Sequence, residues 1–136
     1  MKIINVDPPN IKQIEAVLGP DKTKANVYCY GNTIYNPNKL KLEPHIIVHE
    51  KVHSEQQRRI GIDYWWMRYL DDKNFRLENE LEAYAIQYKY VKDLFKDAIA
   101  KLFLTDISEV LASETYGNIL TIHQAETKIR KLAEKI

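Results

Sequence analysis

His49-Glu50-Lys51-Val52-His53 sets two imidazoles four residues apart with a carboxylate beside the first. On an α-helix, side chains at that spacing stack on one face, so both rings can reach a single metal ion from the same side. Glu50 is then placed to hydrogen-bond a water on the ion and take its proton. Zinc would lower the pKa of that water towards neutrality, and the glutamate would complete the nucleophile. The bland alternative is a pair of ordinary surface histidines on a helix beside Val48 and Val52.

A catalytic zinc usually takes three protein ligands and keeps a fourth position for water, so a further donor is required. His45 extends the series to positions 45, 49 and 53. Residues eight apart lie about 12 Å apart along a helix axis, too far to close around one ion. His45 therefore reads as a first-turn residue near solvent. Cys29 has aromatic neighbours in a predicted strand and reads as a buried structural thiol. His123, beside an N-cap in the last helix, also reads as structural.

Acids downstream separate by periodicity. At about 100° per residue, Leu77, Leu81, Tyr84, Tyr88, Val91, Leu94, Phe95 and Ala98 share one broad face, and Glu80 falls within it. Glu78 and Glu82 fall on the opposite side with Lys89, Asp93 and Lys96. A lone carboxylate on a core-facing stripe carries a heavy desolvation cost unless it is paired or bound to a metal. A buried salt bridge to Arg76 competes with the ligand role. The expected donor set is His49, His53 and Glu80.

Other residues could line such a site. Gln56, three positions past His53, lies on the ligand face and could hydrogen-bond a ligand or line the cleft. Tyr84, Arg76 and His123 are candidates for stabilising an oxyanion formed when the activated water attacks a carbonyl, and the sequence does not choose among them. Tyr64, Trp65, Trp66 and Tyr69 read as a hydrophobic clamp over the floor of the site, with substrate stacking as the alternative.

The elements that must position these residues are mostly helical. Four of the five prolines precede residue 40, where alternating stretches are also found. Residues 27–35 predict two short strands around Gly31-Asn32, a hairpin close enough to the metal helix to form one wall of a cleft. An exposed hairpin edge there could take an extended peptide as an added strand. Lys12 to Leu18 predicts a short helix. Pro44 suits the first turn of a helix running to Arg58 or Arg59 and ending near Gly61. A shorter helix is expected over Tyr64 to Leu70, and a third from after Asn74 to about Lys96. Asp106 with Glu109 predicts a fourth start, and Gly117-Asn118 a stop. Thr121 with Gln124 forms a capping box for a last helix.

With 136 residues, the chain is expected to form one domain, residues 1–136, with a core that needs no staples. Twenty basic and 19 acidic side chains nearly cancel, which gives no electrostatic reason to expect nucleic acid or an anionic membrane as partner. A single cysteine precludes an intrachain disulfide. The N-terminal apolar run is too short for a signal peptide, and no stretch approaches the length of a membrane span. A soluble, cytoplasmic protein is expected.

The HExxH helix followed by Glu80-Leu81-Glu82-Ala83 resembles the gluzincin metallopeptidases, in the branch where a glutamate stands three residues before an alanine. Where several members carry an aspartate after that alanine, this chain has Tyr84. Small phage-type metallopeptidases are the nearer likeness. It runs from Tyr30 to Pro37, through His49 to Gln56, to Phe75-Arg76 and Glu80 to Tyr84, with Tyr116-Gly117-Asn118 and the final helix similar too. The resemblance implies an α+β, mostly helical zincin-like fold, one zinc ion, a peptide or protein substrate and a phage association. A zinc-containing structural or interaction module without turnover is the reading from another class.

Overall fold

The computed structural model describes residues 1–20 and 26–136, which divide into two compact units, Met1–Asp71 and Asp72–Ile136. As expected, the fold is mostly helical with a small three-stranded sheet near the N-terminus.

In the first unit the hairpin forms at the expected place. Strand β2 (Tyr28–Tyr30) pairs antiparallel with β3 (Thr33–Tyr35), with Cys29 opposite Ile34. Gly31 turns the chain at φ 63°, a left-handed conformation that disfavours other residues. A side chain there would also meet Ile62 Cδ1 at 3.0 Å. Strand β1 (Lys2–Ile4) adds in parallel on the far side of β3, giving the order β1-β3-β2. The sequence reading did not include β1: three residues are too few to show an alternating pattern.

Helix α1 (Ile11–Leu18) buries Ile14 and stops at Gly19. Helix α2 (Pro44–Ile60) begins with proline at its first turn and ends at Gly61, whose N–H bonds the Gln57 carbonyl. Helix α3 (Ile62–Asp71) follows after that single residue and buries Trp65, Trp66 and Tyr69. It starts two residues before the expected Tyr64. Within this unit α2 packs on α3 and β2, and α1 packs on α3.

The second unit is a three-helix arrangement. Helix α4 (Lys73–Leu94) is capped by Asp72, whose Oδ1 accepts from the Asn74 and Phe75 N–H groups at 3.0 and 3.1 Å. It therefore begins before Asn74, because the carboxylate caps from outside the helix. Helix α5 (Asp97–Leu111) starts nine residues earlier than the expected Asp106. Phe95 (φ −121°, ψ 169°) and Lys96 (φ −67°, ψ 152°), both extended, separate α4 from α5. No glycine or proline marks that break, so Asp97 in the first turn is its only signature. A short 3-10 turn (Glu114–Tyr116) and left-handed Gly117 follow. Helix α6 (Ile122–Glu134) opens on the complete Thr121–Gln124 capping box.

The core of this unit comes from one face of each helix: Leu77, Leu81, Ala85, Tyr88 and Val91 of α4, Ala100, Leu104, Ile107 and Leu111 of α5, and Ala125, Ile129 and Ala133 of α6. The three helices pack pairwise. The predicted α4 stripe holds only as far as Val91. Leu94 is 62% exposed and Phe95 49%, and Ala98 is exposed as well, because the helix has ended and the chain turns. Among the described residues, no helix is long and apolar enough to cross a membrane.

Candidate metal centre

Helix α2 buries an unusual face. Its buried residues are His49, Glu50, Val52, His53, Gln56 and Gln57, and only one of these is apolar. One helical turn brings the His49 and His53 Nε2 atoms to 3.0 Å, with the rings edge-on at 77°. Two imidazoles bound to one tetrahedral zinc at about 2.0–2.1 Å would hold their nitrogens roughly 3.3 Å apart, close to the spacing seen.

Gln56 decides how the His53 ring is used. His53 Nδ1 lies 2.9 Å from Gln56 Oε1, an acceptor, so Nδ1 carries the proton and donates it. The Nε2 lone pair is then left pointing at His49, in the tautomer a metal ligand needs. Gln56 thus hydrogen-bonds His53, one of the residues expected as a ligand.

Aromatic rings of α3 fix His53 from the sides. Trp65 lies 5.3 Å and Tyr69 6.4 Å from it, centroid to centroid, and Trp65 stacks on Tyr69 at 4.8 Å. The predicted clamp thus consists of Trp65, Trp66 and Tyr69. Tyr64 is 48% exposed and does not belong to it, because it falls on the outer face of α3, where Arg68 lies over its ring.

Glu50 is 5% exposed, and its Oε2 lies 4.0 Å from His49 Nε2. Cys29 is buried, and burial pushes its thiol pKa strongly up; the Glu50 charge adds to this, while a hydrogen bond with Ser54 opposes it. The thiol donates to the Gly31 carbonyl at 3.3 Å, the structural role expected of it.

Gln57, which sequence reasoning passed over, ties the metal helix to the sheet. Its Nε2 donates to the Cys29 carbonyl at 2.8 Å, and its Oε1 accepts from the Gly31 N–H at 2.7 Å. Trp66 Nε1 donates to the same Cys29 carbonyl at 3.1 Å. The signal was present as seven-residue spacing from Glu50, which puts Gln57 on the same buried face. These bonds also overturn the expected strand addition. β1 covers one side of the hairpin, and on the other Gln57 of α2 and Trp66 of α3 both donate to the Cys29 carbonyl, so this β2 acceptor is already taken.

In the second unit, Glu80 is 5% exposed on the Leu77–Leu81 face of α4, as its periodicity requires. Glu78 is exposed and Glu82 half-buried. Among the described residues, the ligand atoms of His49, His53 and Glu80 lie within 4.8 Å of one another, and this group could hold a metal ion. Buried nitrogen and carboxylate donors are those that suit zinc.

His45, Cys29 and His123, the other donors weighed, are not part of that group among the described residues. Arg76 is buried and donates to the Thr115 carbonyl at 2.6 Å. Tyr84 is half-buried. His123 is exposed in the first turn of α6, on the helix surface and not in the core. His45 is half-buried, and burial lowers its pKa, helped by His49 and opposed by Glu43.

No protein-family model, curated protein or solved structure matches this chain.

Proposed function

We propose that the chain is a gluzincin-like zinc hydrolase of peptide bonds, with His49, His53 and Glu80 as ligands and Glu50 as general base. The observation that carries this reading is the buried His49–His53–Glu80 group with Glu50 next to its first member. Bound zinc would supply Lewis-acid polarisation of the scissile carbonyl and a lowered pKa for the attacking water.

The protein's own residues do the rest. Glu50 accepts a proton from the attacking water as its oxygen bonds to the carbonyl carbon. As the C–N bond breaks, the same carboxyl returns the proton to the leaving amine. Gln56 keeps the Nδ1 proton of His53 in place, so the ring presents Nε2 throughout. The packed Trp65 and Tyr69 rings hold the imidazole and keep water off that side.

One observation favours a second reading, a structural zinc module without turnover: His49, Glu50, His53 and Glu80 are each no more than 9% exposed. The Glu50→Gln variant separates the two. Glu50 is not a ligand, so the variant should keep its zinc and lose hydrolysis of a peptide library by a hundredfold or more. Undiminished turnover in the variant would remove Glu50 from the mechanism. A zinc-loaded wild-type protein inert on the same library would support the module.

A further inference from the structure

His45 stands one turn before His49 on the face of α2 that continues through His53 to Gln56. Burial divides this row. His49, His53 and Gln56 are buried, whereas His45, in the first turn of the helix, is half-buried and within reach of water. His45 and His49 repeat the four-residue spacing that brings the His49 and His53 Nε2 atoms to 3.0 Å. Burial is the larger cause of the lowered His45 pKa, and His49 adds to it, so the two rings lie within electrostatic reach.

The buried donor set raises the question of how an ion enters. A divalent cation stripped of water before any protein ligand replaces it is very costly, so waters must be exchanged one by one along an entry path. His45 and His53 are about 12 Å apart along the helix axis and cannot hold one ion together. Both, however, share His49 as a neighbour. The row therefore offers two overlapping pairs of imidazoles, the outer one reached by solvent and the inner one buried. Imidazole nitrogens suit zinc in either pair. Two donors make a weaker seat than three, so an ion on the outer pair moves inward to the group that includes Glu80.

We propose that His45 is a loading ligand: with His49 it forms an outer two-nitrogen seat that receives a hydrated zinc ion and passes it to His53 and Glu80. Ring nitrogens of His45 and His49 each replace a water. His53 Nε2, kept unprotonated by the Gln56 hydrogen bond, then replaces His45, whose lone pair returns to solvent. The exchange transfers no electron. This inference rests on the metal reading and adds to it a residue that the final ligand set does not contain.

The test follows zinc uptake by the metal-free, full-length protein in stopped flow, and zinc release into excess chelator. Trp65, 5.3 Å from His53, gives the fluorescence signal. A residue that acts only along the path changes the barrier and not the end states, so both rates must fall by the same factor. His45→Gln is expected to slow uptake and release tenfold or more each, with the dissociation constant within twofold of the wild type. His45→Cys, which restores a zinc donor at the same place, should recover most of both rates. Unchanged rates in His45→Gln would overturn the proposal. So would a tenfold loss of affinity through faster release, which would make His45 a support of the final site, or a cysteine variant as slow as the glutamine one. A wild-type protein that takes up no zinc removes the metal reading and the loading role together, whereas intact affinity with unaltered rates removes the loading role alone.

Discussion

Helices α2 and α6 both turn one face inward, but they bury opposite chemistry. Helix α6 buries Ala125, Ile129 and Ala133, a stripe at four-residue spacing that joins the apolar core of its unit. Its stability follows from transfer of apolar area out of water. Helix α2 buries two histidines, a glutamate and two glutamines with only Val52 among them. Such a face costs free energy unless each group is matched. Gln57 is matched by the β2 main chain and Gln56 by His53. The His49 and His53 nitrogens converge at 3.0 Å, beside Glu50 and with Glu80 in the same group. Burial in α6 serves the fold, whereas the buried face of α2 contributes to a group that could hold a metal ion.

That contrast should break first at a ligand. On the proposed assignment, Glu80→Gln should weaken zinc binding on the order of a thousandfold, about 4 kcal/mol, and lower the melting temperature of the zinc-loaded protein. Glu82→Gln, on the far side of α4, should do neither. Competition titration with a chelator of known affinity measures both, and the reverse pattern would move the ligand to Glu82.

Next comes the apolar side of the comparison. Ile129 is fully buried, and Ile129→Ala should cost about 3 kcal/mol in denaturant unfolding. Its zinc affinity should match that of the wild type. A parallel loss of zinc would mean that the α6 core and the metal group are not separable. The smallest effect is expected at Gln56. Removing its carboxamide frees the His53 tautomer, so Gln56→Ala should weaken zinc binding roughly ten- to a hundredfold, as other metal-site hydrogen bonds do. No change in affinity would show that the ring needs no such help.

How much of this was legible beforehand follows the same division. The HExxH spacing, the inward face of Glu80 and the Thr121–Gln124 cap are local patterns, and all three were readable because helical periodicity is itself local. The boundary between α4 and α5 was not, since Phe95 and Lys96 break the helix without glycine or proline. Pairing of β1 with β3 joins residues about thirty positions apart, which no short window contains. Gln57 was missed for a different reason: a buried glutamine has meaning only once its partners on β2 are known. The expected peptide-binding edge failed on that same side chain, because the Cys29 carbonyl an added strand would use is already bonded within the unit.

The central claim is that the buried polar face of α2 exists to hold one metal ion. Its most direct test is the metal content of the protein purified without chelators, beside the His49→Ala, His53→Ala and Glu80→Gln variants. About one zinc per wild-type chain is predicted, with each variant losing most of it at the same free zinc concentration. A wild-type protein free of transition metal, or variants that retain it undiminished, would contradict the account.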